Sequence, residues 1–461
     1  MAGTMVEPTR ELPVVADVDV VVAGGGPGGL AAAVAAARQG ARTLLIERYG
    51  FLGGLATAGM VAPILGHTAH DSSRPIVEGL LREMTDRMHA LGGSVSWEES
   101  LPRWGINFDV EALKYVADRM VTEAGVDLLL HTLVTDAVAT GGRIEGLVVE
   151  SKSGRGAVRA KVVVDGTGDA DVVARAGLPF TQGRAFDGAV QSSGSFFYLM
   201  GVPDLSEEER KRVTELVRRK LEAGELRFYH AGFLGKNTAH QDYHSPNMVR
   251  VSGDPTNVRD LTRFELSARQ EVWDLLEVLR NEAGLKDAYI LATAPQVGAR
   301  ESRQVNGLYT LTGDDVTGGR KFADAVARGS WWIDIHCPLG HTYPVHLCVR
   351  TCPRREKCPF WAAEHERMYA DQKATEAPQD DWYDIPYGCL VPKGGVNVLV
   401  AGRSISATHE AMAGARVMGT CLAIGEAAGV AAAMAAAGDG VVANVDVPEL
   451  RRRLTEQGAL V

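Results

Sequence analysis

The chain of 461 residues carries 48 Lys plus Arg against 58 Asp plus Glu, which gives a formal net charge of −10. Hydrophobic residues make up 46% and charged residues 23%, an ordinary globular composition that excludes a largely disordered chain. The acidic balance argues against a protein that binds the phosphate backbone of nucleic acids. Glycine is in excess, with 52 residues or about 11% against a usual 7% or so. Such an excess indicates tight turns and close approach of the backbone to a ligand.

The N-terminal part of the chain predicts a strand–helix–strand unit. Residues 1–16 show no periodic pattern, and we expect them to be flexible. A Val-rich run at 18–23 predicts a buried strand, small residues at 28–39 predict a helix, and 42–47 predicts a second strand that ends in Glu47. This order within about 30 residues is typical of a βαβ unit, and hence of an α/β fold with a Rossmann-like domain.

The following elements continue the α/β pattern as far as about residue 176. Helices are predicted at 75–91 and 110–123, and strands at 126–130, 133–139, 144–150 and 158–165. From 177 to 384 the alternation is less regular, with helices predicted at 207–223 and 260–283, and we interpret this part as an inserted α+β cap or substrate domain. The α/β pattern returns at 385–461, with a strand at 396–401 and a helix at 420–436.

A glycine-rich turn follows the first predicted strand and opens the helix. Gly24, Gly26 and Gly29 satisfy the pattern G-x-G-x-x-G, and Glu47 follows Gly26 by 21 residues. The glycines permit a sharp turn, close approach of a pyrophosphate and close helix–strand packing, while the helix N-terminus offers free N–H groups to the anion. A carboxylate at this spacing accepts hydrogen bonds from ribose hydroxyls. These residues predict a dinucleotide site.

Four further segments carry a family resemblance. They are Phe51–Thr57, Val164–Asp171, Ala299–Arg303 with Trp332–His336, and Tyr387–Pro392 with Leu399–Glu410 through Gly419–Thr420. With the glycine turn, they resemble the FAD-dependent oxidoreductase family of the glutathione-reductase-type flavoprotein superfamily. The resemblance implies a Rossmann-like FAD-binding domain, with three layers about a central parallel sheet, formed by 17–176 and 385–461. The cap at 177–384 would cover the flavin ring.

The resemblance also implies the residues that would contact FAD. They are Gly24, Gly26, Pro27, Gly28, Gly29, Glu47, Arg48, Gly54, Ala56, Thr57, Val134, Gly168, Asp169, Gly402, Arg403, Gly419 and Thr420. A helix start near Thr420 would direct its N-terminus at the flavin ring. One departure concerns Arg403, because many related proteins carry an acid there and a guanidinium cannot accept a hydrogen bond from the ribityl chain.

The predicted chemistry is the transfer of a hydride from a small or medium organic substrate to FAD, as in a dehydrogenase or an oxidase. His409 is the candidate base, and Arg300, Arg303 and Arg416 are candidates to hold an anionic or polar substrate. The alternative for His409 is a helix cap or a hydrogen bond to FAD. For the arginines the alternative is pairing with Glu301 or Glu410 in the core.

Two patterns of related flavoproteins are absent from the sequence, and other functions remain as alternatives. No second G-x-G-x-x-G follows a strand, so no resident NAD(P)H domain is expected, and no cysteine pair follows Glu47, which disfavours disulfide reductase chemistry. The alternatives are a flavin monooxygenase or reductase that binds NAD(P)H transiently, and a flavoprotein electron-transfer subunit. The expected partners are a small-molecule substrate and an external electron donor or acceptor, with self-association left open.

Four of the six cysteines lie close together in a Pro- and Arg-rich loop at 336–360. They are Cys337, Cys348, Cys352 and Cys358, spaced C-x10-C-x3-C-x5-C. Thiolates at this density bind zinc or a 4Fe–4S cluster, although the spacing matches neither usual pattern. Free thiols or disulfides are the alternative.

The chain is expected to be cytoplasmic and to lie outside membranes. No window of about 18 residues is apolar without interruption, and the first 13 residues lack the apolar region of a signal peptide. Six cysteines in 461 residues fit a reducing compartment.

Overall fold

The computed structural model describes residues 5, 7, 9–185, 187–228, 230–235, 238–240, 242–338 and 376–461. The strands are β1 (Val14–Ala23), β2 (Thr43–Ile46), β3 (Asp127–Leu129), β4 (Leu133–Thr140), β5 (Arg143–Ser151), β6 (Gly154–Asp165), β7 (Phe180–Gln182), β8 (Phe197–Met200), β9 (Tyr289–Thr293), β10 (Arg303–Val305), β11 (Ala325–Gly329), β12 (Tyr383–Pro386) and β13 (Val398–Val400). The helices are α1 (Pro27–Arg38), α2 (Leu80–Ala90), α3 (Trp97–Ser100), α4 (Val110–Glu123), α5 (Asp171–Arg175), α6 (Glu207–Glu222), α7 (Val258–Asn281), α8 (Gly313–Thr317), α9 (His409–Ala415), α10 (Met418–Ala437) and α11 (Val447–Glu456).

The main sheet has seven strands and a parallel centre. β1 pairs in parallel with β2 and β6, and β2 pairs in parallel with β3. The sheet forks at the long strand β6, which has two successive partners. Its first residues pair antiparallel with β5, which in turn pairs with β4, and its last residues pair in parallel with β13. The carboxyl ends of β1, β2, β6 and β13 therefore share one edge, where ligands bind in open α/β sheets. This topology confirms the predicted α/β class with a Rossmann-like sheet.

Asn397 stabilises the fork in β6. Its side chain is buried, donates from Nδ2 to the carbonyl oxygens of Ile144 (2.9 Å) and Lys161 (3.0 Å), and accepts at Oδ1 from the Ile144 N–H (2.8 Å). One amide group thus satisfies backbone groups of both diverging strands, which would otherwise be unpaired in the interior.

Helices α1 and α10 cross at very short distance because small residues face each other. A Cβ at Gly425 would lie 2.1 Å from the Gly28 carbonyl oxygen, and one at Gly429 would lie 2.2 Å from that of Ala32. The pairing of 28 with 425 and of 32 with 429 shows that the two helices run in the same direction. Among the described residues α10 is long and apolar enough to cross a membrane, but 83% of its apolar window is buried inside the protein. Burial in the core accounts for its composition.

The elements predicted in the first 180 residues are found, but three of them start four or five residues away from the predicted position. The βαβ unit is confirmed as β1–α1–β2, and α4 covers the predicted 110–123. Helix α2 begins at Leu80 instead of 75, and β6 begins at Gly154 instead of 158. Strand β1 begins at Val14, four residues early, where Val14 pairs with Ala157. The last three residues of the segment predicted to be flexible therefore belong to the sheet.

The middle of the chain contributes to two cores. Buried residues from Phe197 to Val297 form a separate cluster around α6, α7 and the β8–β9 pair. Residues from Leu311 onward, including Val326 and Ile335, instead pack in the cluster that contains α1 and α10. The separate core fits a cap at about 197–297, and the outer limits of 177 and 384 stay a prediction.

Candidate functional site

A cleft opens at the carboxyl edge of the main sheet. Its walls come from the turns after β1, β2 and β6, the start of β4, the turn after β13, the start of α10 and one segment of the middle region. The predicted FAD-contacting residues that line it are Gly24, Gly26, Pro27, Gly28, Glu47, Arg48, Gly54, Val134, Gly168, Asp169, Gly402 and Arg403. The structure thus brings together segments that lie up to 379 residues apart in the sequence.

The glycine turn has the backbone that its sequence predicts. Gly24 has φ +94°, a conformation that side chains disfavour, and a Cβ there would lie 2.6 Å from the Gly166 carbonyl oxygen. A Cβ at Gly29 would lie 1.8 Å from the Gly24 carbonyl oxygen, so Gly29 serves helix–strand packing rather than the cleft wall. At Gly26 the nearest atom to a Cβ, among the residues that the structure describes, would be the Gly54 Cα at 3.8 Å. Among the described residues no side chain caps α1, and its first residues, Pro27 and Gly28, line the cleft, so the positive end of the helix dipole lies at the cleft wall.

Glu47 places a buried carboxylate on the cleft wall. Its Oε2 accepts from the Gly25 N–H at 2.7 Å and its Oε1 from the Tyr49 N–H at 2.9 Å. These bonds fix the carboxylate beside the glycine turn and leave lone pairs for hydroxyl donors in the cleft, because each carboxylate oxygen accepts two hydrogen bonds.

Arg403 acts as a clamp between the walls. Its guanidinium donates to the carbonyl oxygens of Gly168 and Ala299 and to the Asp169 carboxylate, which also accepts from Ser302 Oγ at 2.6 Å. The arginine in place of an acid therefore has a structural use, because it joins two cleft-lining turns to the 299–303 segment.

Helix α10, whose start forms the far wall of the cleft, begins two residues earlier than predicted, so different side chains face the cleft. Helix α10 begins at Met418 rather than near Thr420, and its cleft-facing residues are Met418 and Cys421. Gly419 instead donates its N–H to the Leu65 carbonyl oxygen (3.0 Å), and Thr420 is fully buried outside the cleft lining. Because α10 runs beside α1 and starts seven residues before Gly425, it projects roughly 10 Å beyond the start of α1.

The turn after β2 shows a similar shift by one residue. Gly54, Leu55 and Ala58 line the cleft, whereas Ala56 does not, and Thr57 turns inward to donate from Oγ1 to the Leu52 carbonyl oxygen at 2.7 Å. The predicted contacts of Ala56, Thr57, Gly419 and Thr420 with FAD stay predictions, without support from the cleft geometry.

Arg416 alone among the predicted catalytic residues lines the cleft. Its Nη2 donates to the Asp334 carbonyl oxygen at 3.1 Å and lies 3.6 Å from the Asp334 carboxylate, and its Nε has no partner among the described residues. Burial opposes ionisation of Asp334, but His336, Arg416 and Arg300 outweigh it and hold its pKa below the usual value. Asp334 lies in the Trp332–His336 segment of the family resemblance, but the sequence predicts no role for it, because only the fold brings it to Arg416.

His409 is not placed as a base that faces the cleft. It is buried, its Nδ1 lies 2.8 Å from the Glu301 carboxylate, and its Nε2 has no partner among the described residues. Burial alone would lower the pKa of His409, but the Glu301 carboxylate raises it above the usual value. The buried pair with Glu301, which is the alternative for the arginines, is thus made by His409, for which a helix cap or a hydrogen bond to FAD is the alternative.

The two other predicted arginines also make internal contacts. Arg300 donates from Nη1 to the Ser192 carbonyl oxygen at 2.8 Å, and Arg303 donates to the Asp169 carbonyl oxygen (3.0 Å) and to Asp171 (2.8 Å). Neither lines the cleft. Both hold the 299–303 segment against its neighbours, so their predicted contact with substrate stays a prediction.

The predicted cysteine cluster is described only in part. Cys337 is buried, and Cys348, Cys352 and Cys358 lie outside the described residues. Within the ranges that the structure describes, no group of three or more His, Cys, Asp and Glu is placed to hold a metal ion. A zinc or 4Fe–4S site in the loop stays a prediction.

Comparisons with known proteins identify the family. The thiamine thiazole synthase of Methanococcus vannielii is 32% identical over 169 residues, which are 34% of this chain and 59% of that protein, and the one of Aeropyrum pernix is 30% identical over 171 residues, 34% and 57%. The chain thus spans less than two thirds of these relatives. A geranylgeranyl bacteriochlorophyll reductase-like structure from Thermoplasma acidophilum is 12% identical. The match covers 96% of this chain and 84% of that one, with a TM-score of 0.41. The sequence model of one family matches residues 19–454, nearly the whole chain, and the protein therefore belongs to the FAD dependent oxidoreductase family.

Proposed function

We propose that the protein is a dehydrogenase or oxidase in which FAD accepts a hydride from a small or medium organic substrate held at the Arg416 end of the cleft. The observation that carries the proposal is the continuity of one cleft from the glycine turn and Glu47 to Arg416, Met418 and Cys421. Such a cleft offers a nucleotide-binding end and, beyond the start of α1, an end with a cation and apolar side chains. The assignment to the glutathione-reductase-type superfamily belongs to the same proposal.

The residues of the nucleotide end fit FAD. The start of α1 supplies N–H groups for a diphosphate, and Gly26 leaves room for it, because within the described ranges the Gly54 Cα is the one atom less than 4 Å from its Cβ position. The Glu47 carboxylate suits ribose hydroxyls. The Arg403 clamp keeps the Gly168 and Gly402 turns at a fixed separation, so this part of the cleft is shaped before the cofactor binds.

The residues of the other end indicate the class of substrate. Arg416 carries a positive charge, its Nε has no hydrogen-bond partner in the described part of the chain, and its guanidinium is oriented by Asp334. A partly buried guanidinium binds carboxylates well, because it donates two parallel hydrogen bonds. Met418 and Leu55 add apolar surface. We therefore propose an organic acid, or a substrate with a polar oxygen beside the oxidised carbon, that Arg416 orients in the cleft.

The role proposed for His409 changes accordingly. A general base must come within hydrogen-bond reach of the proton that it removes. His409 is separated from the cleft and engaged by Glu301, so we propose no proton transfer from substrate to this imidazole. The reaction of the thiazole synthases is not proposed either, because they match only 34% of the chain.

Anaerobic bleaching of the flavin absorbance tests the proposal. FAD-loaded protein is mixed with a panel of small hydroxy and amino acids, with uncharged alcohols and amines as matched controls, and separately with NADPH. The proposal expects an acidic substrate to bleach the flavin, and the R416Q variant to need a much higher concentration of it. Rapid bleaching by NADPH alone would instead support the flavin monooxygenase or reductase.

A further inference from the structure

Glu301 lies at the junction of a buried polar network that ends at the cleft. Its carboxylate contacts the His409 imidazole at 2.8 Å and accepts from the Gln191 N–H at 2.9 Å. Neither the Glu301 nor the His409 side chain is exposed by more than 2%. Two arms lead from these contacts to Arg416, and together they close a ring, here called the Glu301 ring: Glu301, His409, Arg416, Asp334, His336 and Gln191.

The first arm is helix α9. His409 is its first residue, and the Arg416 N–H donates to the Met412 carbonyl oxygen at its end (3.1 Å). Gly414 lies against the neighbouring segment, since a Cβ there would be 2.7 Å from the Trp331 carbonyl oxygen. Close packing at Gly414 prevents α9 from moving sideways, and Glu301 holds its first residue. A displacement of His409 would therefore move the helix along its axis and displace Arg416 at its end.

The second arm is the segment that carries Asp334. The His336 N–H donates to the Gln191 side-chain oxygen at 3.2 Å, and the Ser192 N–H donates to the His336 carbonyl oxygen at 3.3 Å. Asp334, two residues earlier, accepts from the Arg416 guanidinium. Glu301 thus fixes the backbone of Gln191, and through it the acceptor that orients Arg416.

We propose that Glu301 is a positioning residue: through both arms of the Glu301 ring it sets the place of the Arg416 guanidinium in the cleft. The inference rests on the proposed function, in which Arg416 orients the substrate in the cleft. Burial and the Arg184 charge oppose a charged His409 imidazole, but the Glu301 carboxylate favours it more strongly, with a smaller contribution from Glu410. Loss of the Glu301 charge leaves a buried imidazole without its counter-ion, which destabilises the position of α9.

A double-mutant cycle on the FAD-loaded protein tests this inference without any substrate. The midpoint potential of the bound flavin is measured for the wild type, E301Q, R416Q and the double variant. A cation in the cleft stabilises the negative charge that reduction adds, so R416Q is expected to lower the potential. If Glu301 acts through Arg416, E301Q lowers the potential as well but has no further effect in the R416Q background.

E410Q is the matched control, because it removes the same charge. The Glu410 carboxylate follows His409 in sequence, and no hydrogen bond is found for it in the described part of the chain, so E410Q should not lower the potential. H409Q removes the contact of α9 with Glu301 and leaves the second arm intact, so it replaces E301Q in the cycle if E301Q does not fold. It is expected to lower the potential in the wild-type but not in the R416Q background.

Two results would overturn the inference: an unchanged potential in E301Q or H409Q, or shifts that add in full to that of R416Q. A protein that no substrate bleaches, but whose cycle is non-additive, would refute the proposed function and keep the inference. The reverse pattern would refute the inference alone.

Discussion

Replacement of Gly26 by alanine separates cofactor binding from folding. Its Cβ would lie 3.8 Å from the nearest atom, the Gly54 Cα, which is ordinary van der Waals contact, and φ at this position is −66°. The apoprotein should therefore keep its stability, or gain about 0.4–1 kcal/mol from the less flexible unfolded chain. In the cleft, the methyl group would displace a diphosphate from the N–H groups of α1. Loss of one charge-assisted hydrogen bond, at about 1.5–3 kcal/mol, corresponds to FAD binding weaker by roughly 10- to 150-fold.

Quenching of flavin fluorescence gives the dissociation constant, and thermal unfolding of the apoprotein gives the stability. Gly29→Ala is the contrasting variant, because its Cβ would lie 1.8 Å from the Gly24 carbonyl oxygen and the turn must shift for the chain to fold. It should lower the unfolding temperature even without FAD. Unchanged FAD affinity in Gly26→Ala would refute the placement of the diphosphate against this turn.

Three further predictions concern the rest of the chain. Asn397→Leu leaves buried backbone groups such as the Ile144 N–H unpaired and should lower the free energy of unfolding by about 2–4 kcal/mol in urea; a loss below about 0.5 kcal/mol would contradict the role of the fork. Burial raises the pKa of Glu271 to about 8, against an unfolded value of 4.5, so the folded protein binds this proton more tightly and stability falls as pH rises from about 4.5 to 8. Glu271→Gln should stabilise the protein at pH 8.5 and have little effect at pH 4, and equal effects at both would contradict the assignment. Metal analysis should find zinc or iron in the wild type and less in Cys348→Ala, whereas metal-free wild type would refute the cluster.

The sequence predicts best what depends on local spacing. The turn at Gly24, Gly26 and Gly29 and the acid at Glu47 act through neighbours a few residues away or through adjacent parallel strands, and all are placed near the same edge of the sheet. Their chemistry is contained in the pattern itself, because the sharp turn and the helix start leave little choice of backbone.

Contacts that depend on helix phase or on the tertiary fold could not be predicted in the same way. An error of two residues in the start of α10 rotates its face by about 200°, which is why Met418 and Cys421 line the cleft in place of Gly419 and Thr420. His409 lies near the Gly402 turn in sequence, but α9 directs it to Glu301, 108 residues away. No local pattern signals that distance.

A crystal structure of the FAD-loaded protein tests the central claim most directly. The diphosphate is expected within hydrogen-bond distance of the first N–H groups of α1, the ribose on Glu47, and the flavin ring beside Arg416 and Met418. Folded protein that takes up no FAD, or flavin bound outside this cleft, would contradict it.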